Sequence, residues 1–217
     1  MALTLIIGNK NYSSWSLRPW IAMKVAGIPF SEMVVPLDTP EFKPKVTTVS
    51  GSGKVPALAD GDVHVWESLA ILEHLAEKFP ASGLWPREAA ARAHARVIAA
   101  EMHAGFAALR NHCPMNMRRP PKARALTPEV AEDVKRIEAI WADSRARFGR
   151  SGPFLLGAFC AADAMYAPVV SRFSSYAIPV GAPARAYMQT MMGLPVWKEW
   201  AAAAAAEPWV MPGNELD

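Results

Sequence analysis

The sequence predicts a small α/β domain followed by an all-helical domain. Three observations favour this fold class. Strand-like and helix-like patterns alternate over residues 1–80, a short stretch with glycine and proline follows over 81–86, and only helical patterns occur over 87–217. A chain of 217 residues is long enough for both domains to bury a core.

The first elements of the α/β domain are a strand, a helix and a second strand. The apolar run Leu3–Ile7 predicts the first strand, and residues 14–26 have a helical pattern that ends at Gly27. A second strand is predicted over residues 30–37. Residues 38–53 are rich in Pro, Thr, Ser and Gly, which indicates a loop with at most a short helix.

A hairpin and a helix complete this domain. Asp60-Gly61 lies between two short apolar runs, and hairpin turns favour such a pair because its residues tolerate positive φ. A helix follows and ends at Pro80, and its apolar positions are Leu69, Leu72, Leu75, Ala76 and Phe79. The predicted product is a mixed sheet with packed helices.

The second domain consists of predicted helices. One long first helix is indicated by a single apolar face made of Ala91, Ala95, Ile98, Met102, Phe106 and Leu109. Thr127-Pro128-Glu129 combines a cap, a first-turn proline and an acid at the positive helix end, and Gly149 ends the helix that it opens. Further helices are predicted over about residues 161–174, 182–191 and 196–206.

The amino-acid composition limits the classes of protein to which this chain can belong and the partners that we expect it to bind. The chain is 52% hydrophobic and 20% charged, which is typical of a soluble globular protein. It has no apolar run of the roughly 18 residues that a membrane span needs, and its N-terminus lacks signal-peptide features. We therefore expect a cytoplasmic protein without a membrane partner. The run from Arg110 to Arg124 is basic, but no binding motif accompanies it, so no nucleic-acid partner is predicted.

Neither the cysteines nor the histidines form a recognised metal or redox motif. Cys113 and Cys160 lie far apart without a Cys-x-x-Cys pattern, so we expect both to be reduced and buried. The five histidines have no zinc-site spacing, and no metal site is predicted.

Serines cluster where the first helix begins, in the segment NKNYSSWSLRPW. Three roles are open for Ser13, Ser14 and Ser16: a helix cap, a glycosylation acceptor, or an anchor for a reactive group. Asn11-Tyr12-Ser13 fits the acceptor pattern, but a cytoplasmic chain does not meet the glycosylation machinery. Capping and anchoring therefore remain the competing interpretations.

Three local motifs together resemble the glutathione transferase family. They are Ser13-Ser14-Trp15-Ser16-x-Arg18 after the first strand, Lys54-Val55-Pro56 before the hairpin, and Glu67-Ser68 at the next helix. The first motif is most similar to the zeta class, where a cysteine occupies the position of Trp15. A later segment, from Gly157 to Asp163, resembles the family's helix-capping segment, with Cys160 where the family has Ser or Thr.

The resemblance implies a specific organisation and ligand. Residues 1–80 would form a thioredoxin-like, glutathione-binding domain, 81–86 a linker, and 87–217 an all-helical C-terminal domain. Glutathione would be the co-substrate, and the protein would be a homodimer. Asp163 would bond back to the backbone donors of its helix.

Roles for the glutathione-binding motifs are also implied. Val55, before a cis Pro56, would offer backbone groups to the cysteinyl part of glutathione, as an added strand does. Glu67 would contact the γ-glutamyl ammonium and Ser68 its carboxylate, at the positive end of a helix. Lys54 would reach the glycyl carboxylate.

The serines are interpreted as thiol activators. A free thiol has a pKa of about 8.5, and a hydroxyl donor at a helix N-terminus lowers it. In the related enzymes the first serine is the usual activator, which corresponds to Ser13, with Ser14 its neighbour and Trp15 in the same site. Ser13-x-x-Ser16 replaces the Cys-x-x-Cys of redox relatives, which favours activation of a bound thiol over disulfide exchange.

A second-substrate pocket is expected between the two domains. Its candidate residues are Arg18, Met102, Phe106, Arg110, Met115 and Met117, with Tyr166 and Phe173 behind them. Three functions stay open: transfer of glutathione to an electrophilic small molecule, glutathione-dependent cis–trans isomerisation of a maleyl-type acid, and glutathione or ligand binding without catalysis.

Overall fold

The computed structural model describes residues 3–216, and its N-terminal part contains a four-stranded sheet. The strands are β1 (Leu3–Ile7), β2 (Phe30–Val34), β3 (Ala57–Asp60) and β4 (Val63–Trp66), in the spatial order β2-β1-β3-β4. β1 pairs parallel with β2 and antiparallel with β3, and β3 pairs antiparallel with β4. β1 is buried on both faces, which explains its continuous apolar sequence.

Helices α1 to α3 lie between and after these strands, and from there to residue 216 the structure has helices and no further named strand. The first three are α1 (Ser14–Val25), α2 (Phe42–Val46) and α3 (Ser68–Lys78). The others are α4 (Ala89–Ala104), α5 (Ala107–His112), α6 (Pro128–Phe148), α7 (Ala161–Ser175), α8 (Ala182–Gly193) and α9 (Pro195–Ala206). Short 3₁₀ turns lie at Pro80–Ser82, Gly149–Ser151 and Pro212–Asn214. The predicted fold class, α/β followed by all-α, is confirmed.

The second strand is shorter than the sequence predicts. β2 ends at Val34 rather than at residue 37, and one more backbone bond follows, from the Val35 N–H to the Ile7 carbonyl. Pro36 has no N–H to continue the ladder. The predicted hairpin is confirmed, with Gly61 at φ +62° in its turn.

The predicted long helix over residues 91–109 is wrong. The structure has two helices there, α4 and α5, separated at Gly105 and Phe106. Gly105 is extended, with φ −99° and ψ −167°, and Phe106 is left-handed, with φ +57°. Both conformations interrupt the helical hydrogen-bond series. The apolar spacing continues across the break because both helices turn an apolar face to the same core.

The predicted caps of the helical half are present. The Thr127 hydroxyl accepts a bond from the Val130 N–H at 3.4 Å, and α6 ends at Gly149. Asp163 accepts bonds from the backbone N–H of Cys160 at 2.9 Å and of Leu155 at 3.1 Å. Asp163 therefore fixes the start of α7, as the sequence predicts.

Helix α7 packs against both parts of the molecule. It contacts α1 on one side and α4 on the other, and all but one of its residues are buried. Cys113 and Cys160 are free thiols in the buried core, as predicted, and burial raises the pKa of both. Within residues 3–216, every helix is too short or too polar to cross a membrane.

Candidate active site

A pocket of about 290 Å³ lies between the loops of the α/β half and helices α4 and α5. Its lining residues are Trp15, Ser52, Lys54, Val55, Pro56, Glu67, Ser68, His103 and Arg110. All of these residues except Ser52 and His103 are predicted from the sequence to belong to the site. Segments that are far apart in the sequence therefore meet at one concave surface, which is the usual form of a small-molecule site.

One wall is formed by Lys54, Val55 and Pro56. The Val55–Pro56 peptide bond is cis, and β3 begins at the next residue. Within residues 3–216 the backbone N–H and C=O of Val55 make no hydrogen bond to the protein. An extended ligand can therefore pair with this residue as an additional strand would.

The opposite wall begins at the N-terminus of α3. Ser68 is the first residue of α3 and is fully buried, with its hydroxyl 3.9 Å from the Met165 sulfur, and the N–H groups of this first turn have no partner within the helix. Glu67 precedes it in a left-handed conformation, with φ +69°. Such a conformation is uncommon for a residue with a side chain and is concentrated at ligand sites. The positive helix end and its free donors suit a carboxylate.

The two predicted activating serines differ in their hydrogen bonding. Ser13, at the N-cap of α1, donates its hydroxyl to Ser16 Oγ at 2.8 Å, and the Gly8 N–H donates to the same oxygen at 3.1 Å. The Ser14 hydroxyl makes no hydrogen bond to the protein in the described part of the chain. Both serines are largely buried behind the pocket wall, and neither lines it. Ser14 thus has the hydroxyl that is free to donate.

Trp15 occupies the position that is cysteine in the zeta class, and its indole stands between two cations. The Arg18 guanidinium carbon lies 3.9 Å from the ring centroid, and that of Arg110 lies 5.3 Å away. The His103 ring meets it edge-on at a centroid distance of 5.2 Å. These cation–π contacts hold the indole in the pocket wall.

Three arginines, Arg18, Arg110 and Arg172, lie near one another, and none of them forms a salt bridge with a carboxylate among residues 3–216. Arg18 is fully buried and donates to the Met165 carbonyl at 3.0 Å, while Arg172 donates to the Cys113 carbonyl at 2.9 Å. Arg18 Nη2, Arg172 Nη1 and Arg110 Nε are buried without an acceptor among residues 3–216.

Burial, and then the neighbouring Arg172 and Arg110 charges, lower the pKa of Arg18. Burial and the Arg110 charge lower the pKa of Arg172 to about 10. Charges that are buried and not neutralised are costly, so the cluster favours an anion nearby.

Most of the predicted second-substrate residues do not lie in this pocket. Met102, Phe106 and Met115 are buried in the hydrophobic core. Met117 borders a different groove, where its sulfur lies 3.1 Å from Ser171 Oγ. Of the six candidates, Arg110 lines the pocket, and Arg18 lies beneath Trp15. Tyr166 and Phe173 pack around Trp141 in the core.

His103, which follows the apolar position Met102 on α4, lines the pocket and is not predicted from the sequence. Its Nε2 lies 3.6 Å from Glu67 Oε2, and its Nδ1 is buried without a partner among the described residues. Burial lowers the pKa of His103, the Glu67 carboxylate opposes this, and Arg18 and Arg110 add to it. The combined effect favours the neutral form of the ring. A polar residue at the edge of an apolar helix face is the signal that would have found it.

Comparison with known proteins accounts for this arrangement. Residues 12–78 match the family model described as glutathione S-transferase, N-terminal domain. Residues 12–78 are therefore similar in sequence to the N-terminal domain of glutathione S-transferases. The match contains all three predicted motifs of the α/β half, since it extends from the serines to the end of α3.

This chain is similar over part of its length to curated proteins named for maleylacetoacetate isomerase and for the zeta class of glutathione S-transferases. It is 37% identical over 100 residues to a probable maleylacetoacetate isomerase of Caenorhabditis elegans, and the match covers 46% of each chain. It is 36% identical over 89 residues to glutathione S-transferase Z1 of Arabidopsis thaliana, which covers 39% of this chain and 40% of the relative. The matched segments thus span less than half the length of these curated relatives.

Solved structures have a similar fold over most of the length of this chain. A glutathione transferase homolog from Burkholderia, solved with bound glutathione, has a TM-score of 0.72 at 21% identity and covers 94% of this chain and 98% of its own. The Ure2p complex with glutathione has a TM-score of 0.69 at 20% identity and covers 93% and 94%. The N-terminal domain is therefore thioredoxin-like, and the C-terminal part is helical.

Proposed function

We propose that this protein is a glutathione transferase, which activates the thiol of bound glutathione for attack on an electrophilic small molecule. The observation that carries the proposal is the meeting of Val55, Glu67 and Ser68 in one pocket, next to the N-terminus of α1. Relatives of the family that have been solved with glutathione support this choice of co-substrate.

Each end of glutathione has a complementary group in the proposed site. The γ-glutamyl carboxylate accepts hydrogen bonds from the Ser68 hydroxyl and from the free N–H groups of α3. The γ-glutamyl ammonium forms an ion pair with the Glu67 carboxylate. The cysteinyl backbone pairs with the unpaired groups of Val55. Lys54 holds the glycyl carboxylate. The thiol then points to the start of α1.

Activation of the thiol is assigned to the Ser13–Ser14 pair, with Ser14 as the donor. Its hydroxyl is free, whereas the hydroxyl of Ser13 is bonded to Ser16. A donated hydrogen bond and the positive end of α1 both stabilise the thiolate, and therefore lower its pKa. The thiolate attacks the electrophile, a sulfur–carbon bond forms, and the leaving group departs with the electron pair of its bond to carbon.

The decisive experiment is a calorimetric titration with reduced glutathione, with the thiolate absorbance of the complex followed against pH. We expect saturable binding and a thiol pKa below that of free glutathione. Ser14→Ala should raise the pKa of the bound thiol more than Ser13→Ala does, and Ser31→Ala, exposed on β2, should change nothing. Binding without a pKa shift would leave a non-catalytic ligand-binding protein, and no binding would refute the proposal.

A second candidate is a glutathione-dependent cis–trans isomerase of maleyl-type acids. The cluster of Arg18, Arg110 and Arg172 favours it, because Arg110 lines the pocket and the two buried arginines, which form no salt bridge among the described residues, add positive potential that suits an acidic substrate. The probable isomerase among the relatives supports the same choice. Turnover of a maleyl-type acid without net consumption of glutathione would establish this activity, and Arg110→Gln should raise KM for the acid more than KM for glutathione.

Three further properties are proposed on the family resemblance and the sequence. They are assembly as a homodimer, a cytoplasmic location, and a division into residues 1–80, a linker at 81–86 and residues 87–217. Sizing in solution at several concentrations tests the dimer, since a monomer at all of them would contradict it. Limited proteolysis that cuts first within the linker would support the division.

A further inference from the structure

The loop before α1 depends on residues near the C-terminal end of the chain for its backbone hydrogen bonds. Within the loop, the N–H groups of Tyr12 and Ser13 both donate to the Asn9 carbonyl, at 3.2 and 2.8 Å. The N–H groups of Lys10 and Asn11 find no acceptor inside the loop. Because both residues are buried, these donors need partners from elsewhere in the fold.

Glu207 supplies those partners. Its two carboxylate oxygens accept bonds from the Lys10 N–H at 2.6 Å and from the Asn11 N–H at 3.0 Å. Trp200, on α9, donates its indole N–H to the Lys10 carbonyl at 2.9 Å. Both polar groups of the Lys10 peptide are therefore bonded to residues that lie about 190 positions later in the chain.

A second set of contacts joins the C-terminal segment 207–216 to Tyr12, the residue before Ser13. The Tyr12 hydroxyl donates to the Glu215 carboxylate and accepts a bond from Arg118 at 2.7 Å. The same guanidinium donates to the carbonyls of Glu207 at 2.7 Å and Trp209 at 2.8 Å. Arg118 thus ties the C-terminal segment to the loop by bonds to both.

We propose that the C-terminal segment 207–216 is a positioning element for the thiol-activating serines, and that Glu207 is its main positioning residue. The inference rests on the proposed function of Ser13 and Ser14. Glu207 does not touch the pocket; it acts through the Lys10 and Asn11 backbone, which continues directly into the serines. The glutathione-binding groups Val55, Glu67 and Ser68 belong to other elements, so loss of the contact should affect chemistry more than binding.

The test compares three variants. Glu207→Ala removes both acceptor oxygens, and Glu207→Gln keeps one oxygen and the size of the side chain. Glu199→Gln is the control, because the side chain of Glu199 makes an exposed ion pair with Lys24 and no other polar contact in the described part of the chain. We expect Glu207→Ala to lower kcat by about 10- to 100-fold with a smaller change in KM for glutathione, since a displacement of about 1 Å can cost that much. The pKa of the bound thiol should rise, Glu207→Gln should be intermediate, and Glu199→Gln should match the wild type.

Amide hydrogen exchange provides a second readout that needs no substrate. Exchange at Lys10 and Asn11 should accelerate in Glu207→Ala and stay unchanged in Glu199→Gln. Accelerated exchange with wild-type kcat and wild-type thiol pKa would overturn the positioning role and leave the transferase proposal intact. Failure of the wild type to bind glutathione would instead overturn the proposed function, and this inference with it. If Glu207→Ala does not fold, Glu207→Gln and Tyr12→Phe, which removes the hydroxyl contacted by Glu215 and Arg118, carry the same test.

Discussion

The two halves of the molecule differ in how many of their predicted site residues line the pocket. In the α/β half, Lys54, Val55, Glu67 and Ser68, which are predicted to bind glutathione, all line the pocket. In the helical half, Arg110 does so, and the apolar candidates lie in the core. The α/β residues are identified by local motifs that include a turn or a helix start. The helical ones are identified by spacing, which marks a buried face without indicating what covers it.

The largest effect that we expect is a loss of stability on truncation of Met102, a core residue of the helical half. Met102 is fully buried, so Met102→Ala should leave a cavity and lower the free energy of unfolding by about 2–5 kcal/mol. Glutathione affinity of the folded protein should not change. Denaturant unfolding and calorimetry measure the two quantities, and Val97→Ala, which is 61% exposed on the same helix, should cost less than about 0.5 kcal/mol. A weakened affinity would place Met102 on the ligand side after all.

The next effect is a pH-dependent stability contribution from Asp163, a residue of the predicted capping motif in the helical half. Burial raises its pKa from 3.8 to about 6, against the opposing effect of hydrogen bonds from Leu155, Cys160 and Tyr187. An acid whose pKa is higher in the folded state stabilises the fold when protonated. Its contribution is therefore complete below about pH 4 and is lost as the pH rises through about 6, by at most about 3 kcal/mol.

Unfolding free energies measured between about pH 4 and 7 test this linkage. The wild type should lose stability relative to Asp163→Asn as the pH rises, even though the variant is less stable throughout because its amide cannot accept all three hydrogen bonds. A pH-independent difference between the two proteins would show that Asp163 is ionised in the folded state at all these pH values.

Glu67 tests the α/β side of the comparison. Its side chain is about half exposed, so Glu67→Gln should leave the free energy of unfolding nearly unchanged. A charge-assisted hydrogen bond contributes about 1.5–3 kcal/mol, so affinity for glutathione should fall by about 10- to 100-fold. Glu77→Gln, exposed on the same helix, is the matched control. Equal affinities for all three proteins would remove Glu67 from the glutathione site.

Prediction from sequence succeeds where a residue's role is decided by its near neighbours in the chain. The strand and helix order, the hairpin and the caps at Thr127 and Asp163 follow from local patterns, and all are present. The division of one predicted helix into α4 and α5 is not predictable in this way, because the left-handed Phe106 interrupts a continuous apolar pattern. The contact between Glu207 and the loop before α1 joins residues nearly 200 positions apart, and no local pattern indicates it.

The smallest effect concerns Thr127, whose assignment as a helix cap depends on local sequence alone. Its hydroxyl accepts the Val130 N–H at 3.4 Å, so Thr127→Ala should lower the free energy of unfolding by about 1 kcal/mol. Thr190 is the matched control, because it lies within α8 rather than at its cap and its hydroxyl donates to the Ala186 carbonyl. Thr190→Ala should be neutral or slightly stabilising, since alanine is the better helix former. Equal losses in the two variants would mean that the long hydrogen bond at Thr127 does not stabilise α6. A contact that is predicted correctly from local sequence would then contribute less free energy than its presence suggests.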